Sequence, residues 1–293
     1  MSVTADSNNI SSYTKKDIKG FLCDFPDDIH KGDRGGVLIV GGSWNYRGAP
    51  MLAALGSLRA GAGLTVLAIP DFMVGEASMF LPEGIFLPLK TMNDCVVAER
   101  VRDTISPWLK RVGALVVGPG IGRGDRVREI VSYFWNMCDI SIVMDADALY
   151  FLSQMWDSLP YRENIVITPH SGEAGMILNS TPTEVNGDRL AAVTRLSERA
   201  GTALLKGKNT LVCCNNKIGV IEQGSPALAV PGSGDVLSGC IGALLARGLA
   251  PFDAAACGAL IHAVAGENLE KSIGVSGVLA REIANVLPTI IRD

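Results

Sequence analysis

Residues 114–122 read Ala114-Leu115-Val116-Val117-Gly118-Pro119-Gly120-Ile121-Gly122. Four apolar residues without polar alternation suit a strand buried on both faces, and the glycines after them suit a turn. A helix-period pattern follows over residues 127–137, then a second apolar run over residues 141–144. Strand, helix and strand of these lengths form a right-handed crossover between parallel neighbours. The unit predicts a parallel sheet flanked by helices.

The alternation continues in both directions. Further continuous apolar runs occupy residues 37–40, 64–69, 165–168 and 202–206, and helical patterns fill residues 49–60, 184–200, 235–247, 252–270 and 278–287. Residues 210–214 and 217–222, joined by Asn215-Asn216, read as a β-hairpin. The expected fold is α/β: three layers, α/β/α, with a mostly parallel central sheet and an antiparallel edge hairpin. No linker or repeat divides residues 1–293, so one domain is expected, with a polar tail over residues 1–12.

The chain has 293 residues, 48% of them hydrophobic and 19% charged, and a net charge of −4. That balance carries no electrostatic footprint for nucleic acid or an anionic membrane. Seven scattered cysteines lack zinc or redox spacing and read as reduced core residues. The first residues lack the basic and then apolar pattern of a secretion signal, and no apolar run is long enough for a membrane helix. A cytoplasmic location is expected.

Unusual short motifs cluster where strands end and helices begin, the edge at which such sheets bind ligands. Gly41-Gly42-Ser43, with Tyr46-Arg47-Gly48-Ala49-Pro50 after it, lacks the spacing of a Walker loop and reads either as a ligand loop or as a close-packed turn. Gly118 to Gly122 fails the dinucleotide fingerprint at Arg123, leaving a tight turn for ligand approach or a plain connection. In Asp145-Ala146-Asp147, Asp147 suits a helix N-cap, while Asp145 suits a magnesium or substrate site. His170 and Glu173 form a candidate pair for orienting substrate and metal-bound water. Lys206-Gly207-Lys208-Asn209-Thr210 offers cations, bare amides and a hydroxyl suited to nucleotide phosphates.

Gly232-Ser233-Gly234-Asp235 opens an apolar helix. Three small residues leave backbone N–H groups bare at the positive end of the helix dipole, beside a carboxylate expected to stay ionised. A glycine turn with a favourable first-turn charge is the plainer reading of the same residues. The motif predicts an anion hole beside a proton acceptor.

Together the motifs HKGDRGGVLIVGGS, YRGAPMLAALGSLRAGAGL, VVGPGIG, MDADAL, ITPHSGE, LLKGKNT and GSGDVLSG resemble the ribokinase-like superfamily and, within it, the NAD(P)H-hydrate dehydratases. The resemblance implies removal of water from (6S)-hydrated NADH or NADPH at the expense of ADP or ATP with Mg2+. It implies Asp235 as the base, Gly232, Ser233 and Gly234 as the anion hole, and Ala49, Gly120 and His170 beside the hydrated ring. Lys206, Gly207, Lys208, Asn209, Thr210 and Gly234 would hold the nucleotide, and Asp145 and Glu173 would place magnesium, directly or through water. An ADP-dependent form, a homotetramer and a separate NAD(P)H-hydrate epimerase as functional partner are also implied, with no epimerase domain in this chain. Pro231, which lacks an N–H, and Ser171, where the family usually has proline, depart from the pattern. The same residues would also serve a kinase for a vitamin or sugar, or a nucleotide-binding regulatory protein without turnover.

Overall fold

The molecule is described here by a computed structural model covering residues 9–22, 28, 30, 32–92, 95–96, 98–124, 126–137 and 139–292. In chain order the strands are β1 (Ile10–Tyr13), β2 (Gly36–Val40), β3 (Leu64–Pro70), β4 (Ile85–Leu89), β5 (Thr91–Met92), β6 (Cys95–Val96), β7 (Ala114–Val117), β8 (Ser141–Met144), β9 (Ile165–Ile167), β10 (Thr202–Leu205), β11 (Thr210–Cys214) and β12 (Lys217–Ile221). The helices are α1 (Ile18–Phe21), α2 (Gly48–Arg59), α3 (Val74–Phe80), α4 (Ala98–Leu109), α5 (Val127–Met137), α6 (Asp147–Ser153), α7 (Ser171–Ile177), α8 (Pro182–Gly187), α9 (Arg189–Ala200), α10 (Ser233–Ala246), α11 (Pro251–Ser272) and α12 (Ala280–Arg292). Ten strands form one sheet in the order β1-β12-β11-β10-β9-β8-β7-β2-β3-β4, while β5 and β6 pair with each other.

Every neighbouring pair in the large sheet is parallel except β10 with β11 and β11 with β12. The expected hairpin is therefore present, and β11 alone runs against the rest. Side chains alternate between two apolar layers. Val37, Ile39, Val116, Val143, Val166 and Leu204 join α2, α10, α11 and α12 on one face. Leu38, Val40, Val117, Met144, Ile167 and Leu205 join α4, α5, α6, α7 and α9 on the other. The result is the three-layer α/β/α architecture.

Three local expectations are corrected. Ile10–Tyr13, expected as tail, pairs in parallel with β12 and closes the sheet edge beyond the hairpin. Its anchor is Tyr13, whose ring lies 5.3 Å from Phe21 and 6.4 Å from Phe252. Residues 1–8 lie outside the described residues, as do Cys23 and Cys138. The single helix expected over residues 184–200 is two helices, because Asp188 leaves helical geometry and caps α9 by accepting from Ala191 N at 3.0 Å. β4 went unanticipated, since Pro88 interrupts its apolar pattern; it pairs on one side only, as a proline-bearing strand can.

Helix α10 is seated by glycines. A Cβ on Gly239 would fall on the Ala53 carbonyl oxygen of α2, and one on Gly56 would fall on the Val236 carbonyl. The two backbones therefore touch directly, which fixes where the α10 N-terminus points. Among the described residues no helix is long and apolar enough to cross a membrane.

Candidate active site

The site is built at the C-terminal ends of β8, β9 and β10, beneath the start of α10. Gly232 holds a left-handed φ of +86° at the N-cap, and no side chain caps the helix there. Ser233 N donates to the Val230 carbonyl at 3.2 Å, and Val236 N to the Gly232 carbonyl at 3.2 Å. Among the described residues, the amides of Gly234 and Asp235 donate to no protein group. Bare amides at a helix N-terminus are an anion site.

Opposite them stands a charged cluster. Lys206 Nζ lies 2.9 Å from Asp145 Oδ1 and 3.8 Å from Glu173 Oε2. A Cβ on Gly234 would stand 3.5 Å from Lys206 Nζ and 3.8 Å from Asp145 Oδ2, so the pair faces the anion loop. Burial opposes the Lys206 charge, but Asp145 and Glu173 outweigh it and raise the lysine's pKa. Asp145 itself is 1% exposed. Ala146 follows it with a φ of +52° and ψ of −124°, a strained turn of the kind stored at functional sites.

Asp235 does not behave as expected from the helix dipole alone. Burial, and next the Asp145 charge, push its pKa up to about 8, with Lys206 opposing and Asp147 and Glu173 adding to the rise. The carboxyl therefore holds a proton at neutral pH in the free protein, in place of the ionised state expected from sequence. The physical reason is first that burial disfavours the charged form, and next that the nearby Asp145 charge disfavours it further, while Lys206 opposes the rise.

Other expected site residues form smaller groups of contacts. A Cβ on Gly120 would lie 2.9 Å from Ala49 Cβ and 2.7 Å from Tyr46 Cβ, so Ala49 and Gly120 share one wall. His170 and Glu173 form a capping box at α7. His170 Nδ1 accepts from Gly172 N at 3.0 Å and Glu173 N at 3.3 Å, and Glu173 Oε2 accepts from His170 N at 2.9 Å. The His170 ring stays exposed, with Nε2 3.6 Å from Glu173 Oε1. In the lysine turn, Gly207 has a φ of +139° and Asn209 one of +53°, and Thr210 Oγ1 donates to the Gly207 carbonyl at 2.9 Å. Lys208 and Asn209 are exposed there.

One expectation changes. Asp147 is not the cap of α6, a position taken by Ala146; its carboxylate accepts from Gly122 N and Arg123 Nε, each at 3.1 Å, and ties down the Gly118–Gly122 turn. Asp145 and Glu173, expected to place magnesium directly or through water, both face the Lys206 ammonium. Among the described residues no three His, Cys, Asp or Glu side chains converge as a metal cage. Two carboxylates suit a magnesium ion that keeps waters and nucleotide phosphates among its ligands.

The structure adds residues that the sequence left unassigned. His262, on α11, places Nε2 3.1 Å from both Ser233 Oγ and the Ser233 carbonyl. Burial drives its pKa down to about 4, so it stays neutral. Arg189 donates from Nη2 to the Leu205 carbonyl at 3.0 Å and braces the lysine turn from behind. Among the described residues Thr168 Oγ1, just after β9, is buried without a hydrogen-bond partner. A lone histidine on an apolar helix gave no signal, because only tertiary packing sets it against Ser233.

The family model for NAD(P)H-hydrate dehydratase matches residues 37–289. The chain belongs to the NAD(P)H-hydrate dehydratase family. It is 37% identical over 266 residues to the ADP-dependent (S)-NAD(P)H-hydrate dehydratase of Neisseria meningitidis serogroup B, covering 88% of this chain and 85% of that one. It is 39% identical over 258 residues to the bifunctional NAD(P)H-hydrate repair enzyme Nnr of Thermanaerovibrio acidaminovorans, covering 87% of this chain and 50% of that one. The chain thus spans about half the length of such bifunctional relatives. A ribokinase-like superfamily protein from Enterococcus faecalis superposes with a TM-score of 0.85 at 24% identity, over 97% of this chain and 96% of that one. The dehydratase-family chain therefore has the ribokinase-like fold.

Proposed function

We propose that this chain converts (6S)-hydrated NADH and NADPH to NADH and NADPH, consuming ADP supplied as its magnesium complex. The observation that carries the reading is the placement of Asp235 beside the bare amides of Gly234 and Asp235, facing Lys206. In this reading the Asp235 carboxylate takes the proton of the hydrate's 6-hydroxyl. The oxygen then attacks the terminal phosphorus, the phosphorus–oxygen bond to AMP breaks, and charge on the transferring group is met by the helix N-terminus and Lys206. Loss of phosphate together with a ring proton restores the dihydronicotinamide. A carboxyl with a pKa of about 8 suits the first step, because a base is most effective when its pKa lies near the working pH.

Lys206 to Thr210 are proposed to hold the nucleotide, and Ala49, Gly120 and His170 to flank the hydrated ring. An NAD(P)H-hydrate epimerase would feed the reaction by interconverting the two epimers of the hydrate. The test is recovery of near-ultraviolet NADH absorbance from hydrated NADH, run in parallel with ADP and ATP. Asp235→Asn should lower turnover by about 10²–10⁴-fold while nucleotide still binds. No recovery with either nucleotide, or a stable phosphate ester as product, would overturn the reading in favour of a binding protein or a kinase.

A further inference from the structure

A cleft of about 450 Å³ opens beside Gly120, between the loop that follows β2 and the loop that follows β7. Neither the lysine turn nor Asp235 lines it. Trp44 and Tyr46 do, with 54% and 58% of their surface exposed. Arg47 covers part of Trp44, its guanidinium carbon 4.5 Å from the ring centre, and Phe72 packs against it at 5.3 Å, so Tyr46 is the principal stacking surface for a planar base.

Arg123 lines the same cleft in a prepared state. Its Nε donates to Asp147 Oδ1 at 3.1 Å, and its guanidinium carbon sits 4.4 Å over the Tyr150 ring. The plane of the group is thereby set while 57% of the side chain stays exposed. An arginine held through Nε and stacked on a ring keeps its outer N–H groups as a fixed fork for phosphate oxygens. Gly122 and Gly124 flank it and add no side chains that would keep a ligand away.

Position along the sheet edge gives the cleft its direction. Lys206 ends β10, Asp145 ends β8, and the cleft lies past them over the ends of β7, β2 and β3. The lysine turn and the cleft thus lie at different places along the same sheet edge. Asp147 belongs to both neighbourhoods, since it lines the cleft and its charge acts on Asp235.

We infer that the cleft takes the adenosine half of the hydrated dinucleotide, its base against Tyr46 and the exposed part of Trp44, and its ribose 2′-phosphate, when present, on Arg123. This rests on the dehydratase reading for the identity of the whole substrate. The cleft itself is a site for a phosphorylated adenosine and can be tested without turnover.

Adenosine 2′,5′-bisphosphate should bind the full chain in calorimetric titrations run with excess ADP, so that the lysine turn is already filled. Arg123→Ala should weaken that binding about tenfold or more, with Arg123→Lys intermediate because it keeps the charge and loses the fork. In the hydrate assay, Arg123→Ala should lower the ratio of kcat/KM for hydrated NADPH to that for hydrated NADH by about tenfold. No binding by the wild type in the titration, or a ratio unmoved by Arg123→Ala, overturns the assignment. Binding that depends on Arg123 in a protein without turnover would support the cleft and sink the dehydratase reading, so the two fail separately.

Discussion

Lys206 Nζ sits 2.9 Å from the buried Asp145 Oδ1, and this ion pair is the floor of the anion site under Gly234. Removing one partner of a buried pair leaves the other charge uncompensated, a loss of about 3–5 kcal/mol. Lys206→Met is therefore expected to lower unfolding free energy by about that amount in urea titrations. Asp145→Asn combined with Lys206→Met should lose less than the sum of the single changes. Strict additivity would show that the pair is not coupled.

The proton on Asp235 sets the pH profile. A base works only when ionised, so with a pKa of about 8 the kcat/KM should climb about tenfold per pH unit on the acid side and level off above pH 8. A plateau already reached at pH 6 would place the controlling group elsewhere.

The same group makes a stability prediction of definite sign. Asp235 keeps its proton up to about pH 8 when folded, whereas a free aspartate releases it near pH 4, so the folded state binds more protons across that window. Stability contributed by this group is present below about pH 4 and lost as pH rises through about 8. Asp235→Asn removes that dependence and should raise Tm by roughly 2–6 °C at pH 8, with little change at pH 4. A variant that melts lower than the wild type at pH 8 would contradict the burial argument.

Contact between α2 and α10 should be intolerant of a single methyl. In Gly239→Ala the new Cβ meets the Ala53 carbonyl, so the helices must part, at a cost of about 1–3 kcal/mol, and nucleotide affinity should fall as the α10 N-terminus moves. Among the described residues nothing lies within 4 Å of where a Cβ on Gly75 of α3 would stand, and Gly75→Ala is expected to be neutral or slightly stabilising. Calorimetry on the two variants side by side reads the difference.

Much of this architecture is legible in the chain. The apolar runs at 37–40, 64–69, 114–117, 141–144 and 165–168 are strands because β-branched and aliphatic residues without alternation can be buried only between two helical layers. Asp188 and Ile10–Tyr13 depart from their local pattern for physical reasons. A capping aspartate inside a helical pattern, and a short polar edge strand, take their state from what they pack against or bond to. Asp145, Glu173, Lys206 and Asp235 were legible as candidates because each stands where a strand ends or a helix begins.

The amino-acid sequence by itself determined the layer order, the parallel sheet and the edge at which chemistry collects, because hydrophobic periodicity and glycine turns act over a few residues. Tertiary structure alone decided the state of that edge. It set Lys206 between two carboxylates, gave Asp235 a proton at neutral pH, and placed the unassigned His262 on Ser233. Those outcomes depend on distances between residues far apart in the chain and on the water they exclude, and spacing along the chain specifies neither.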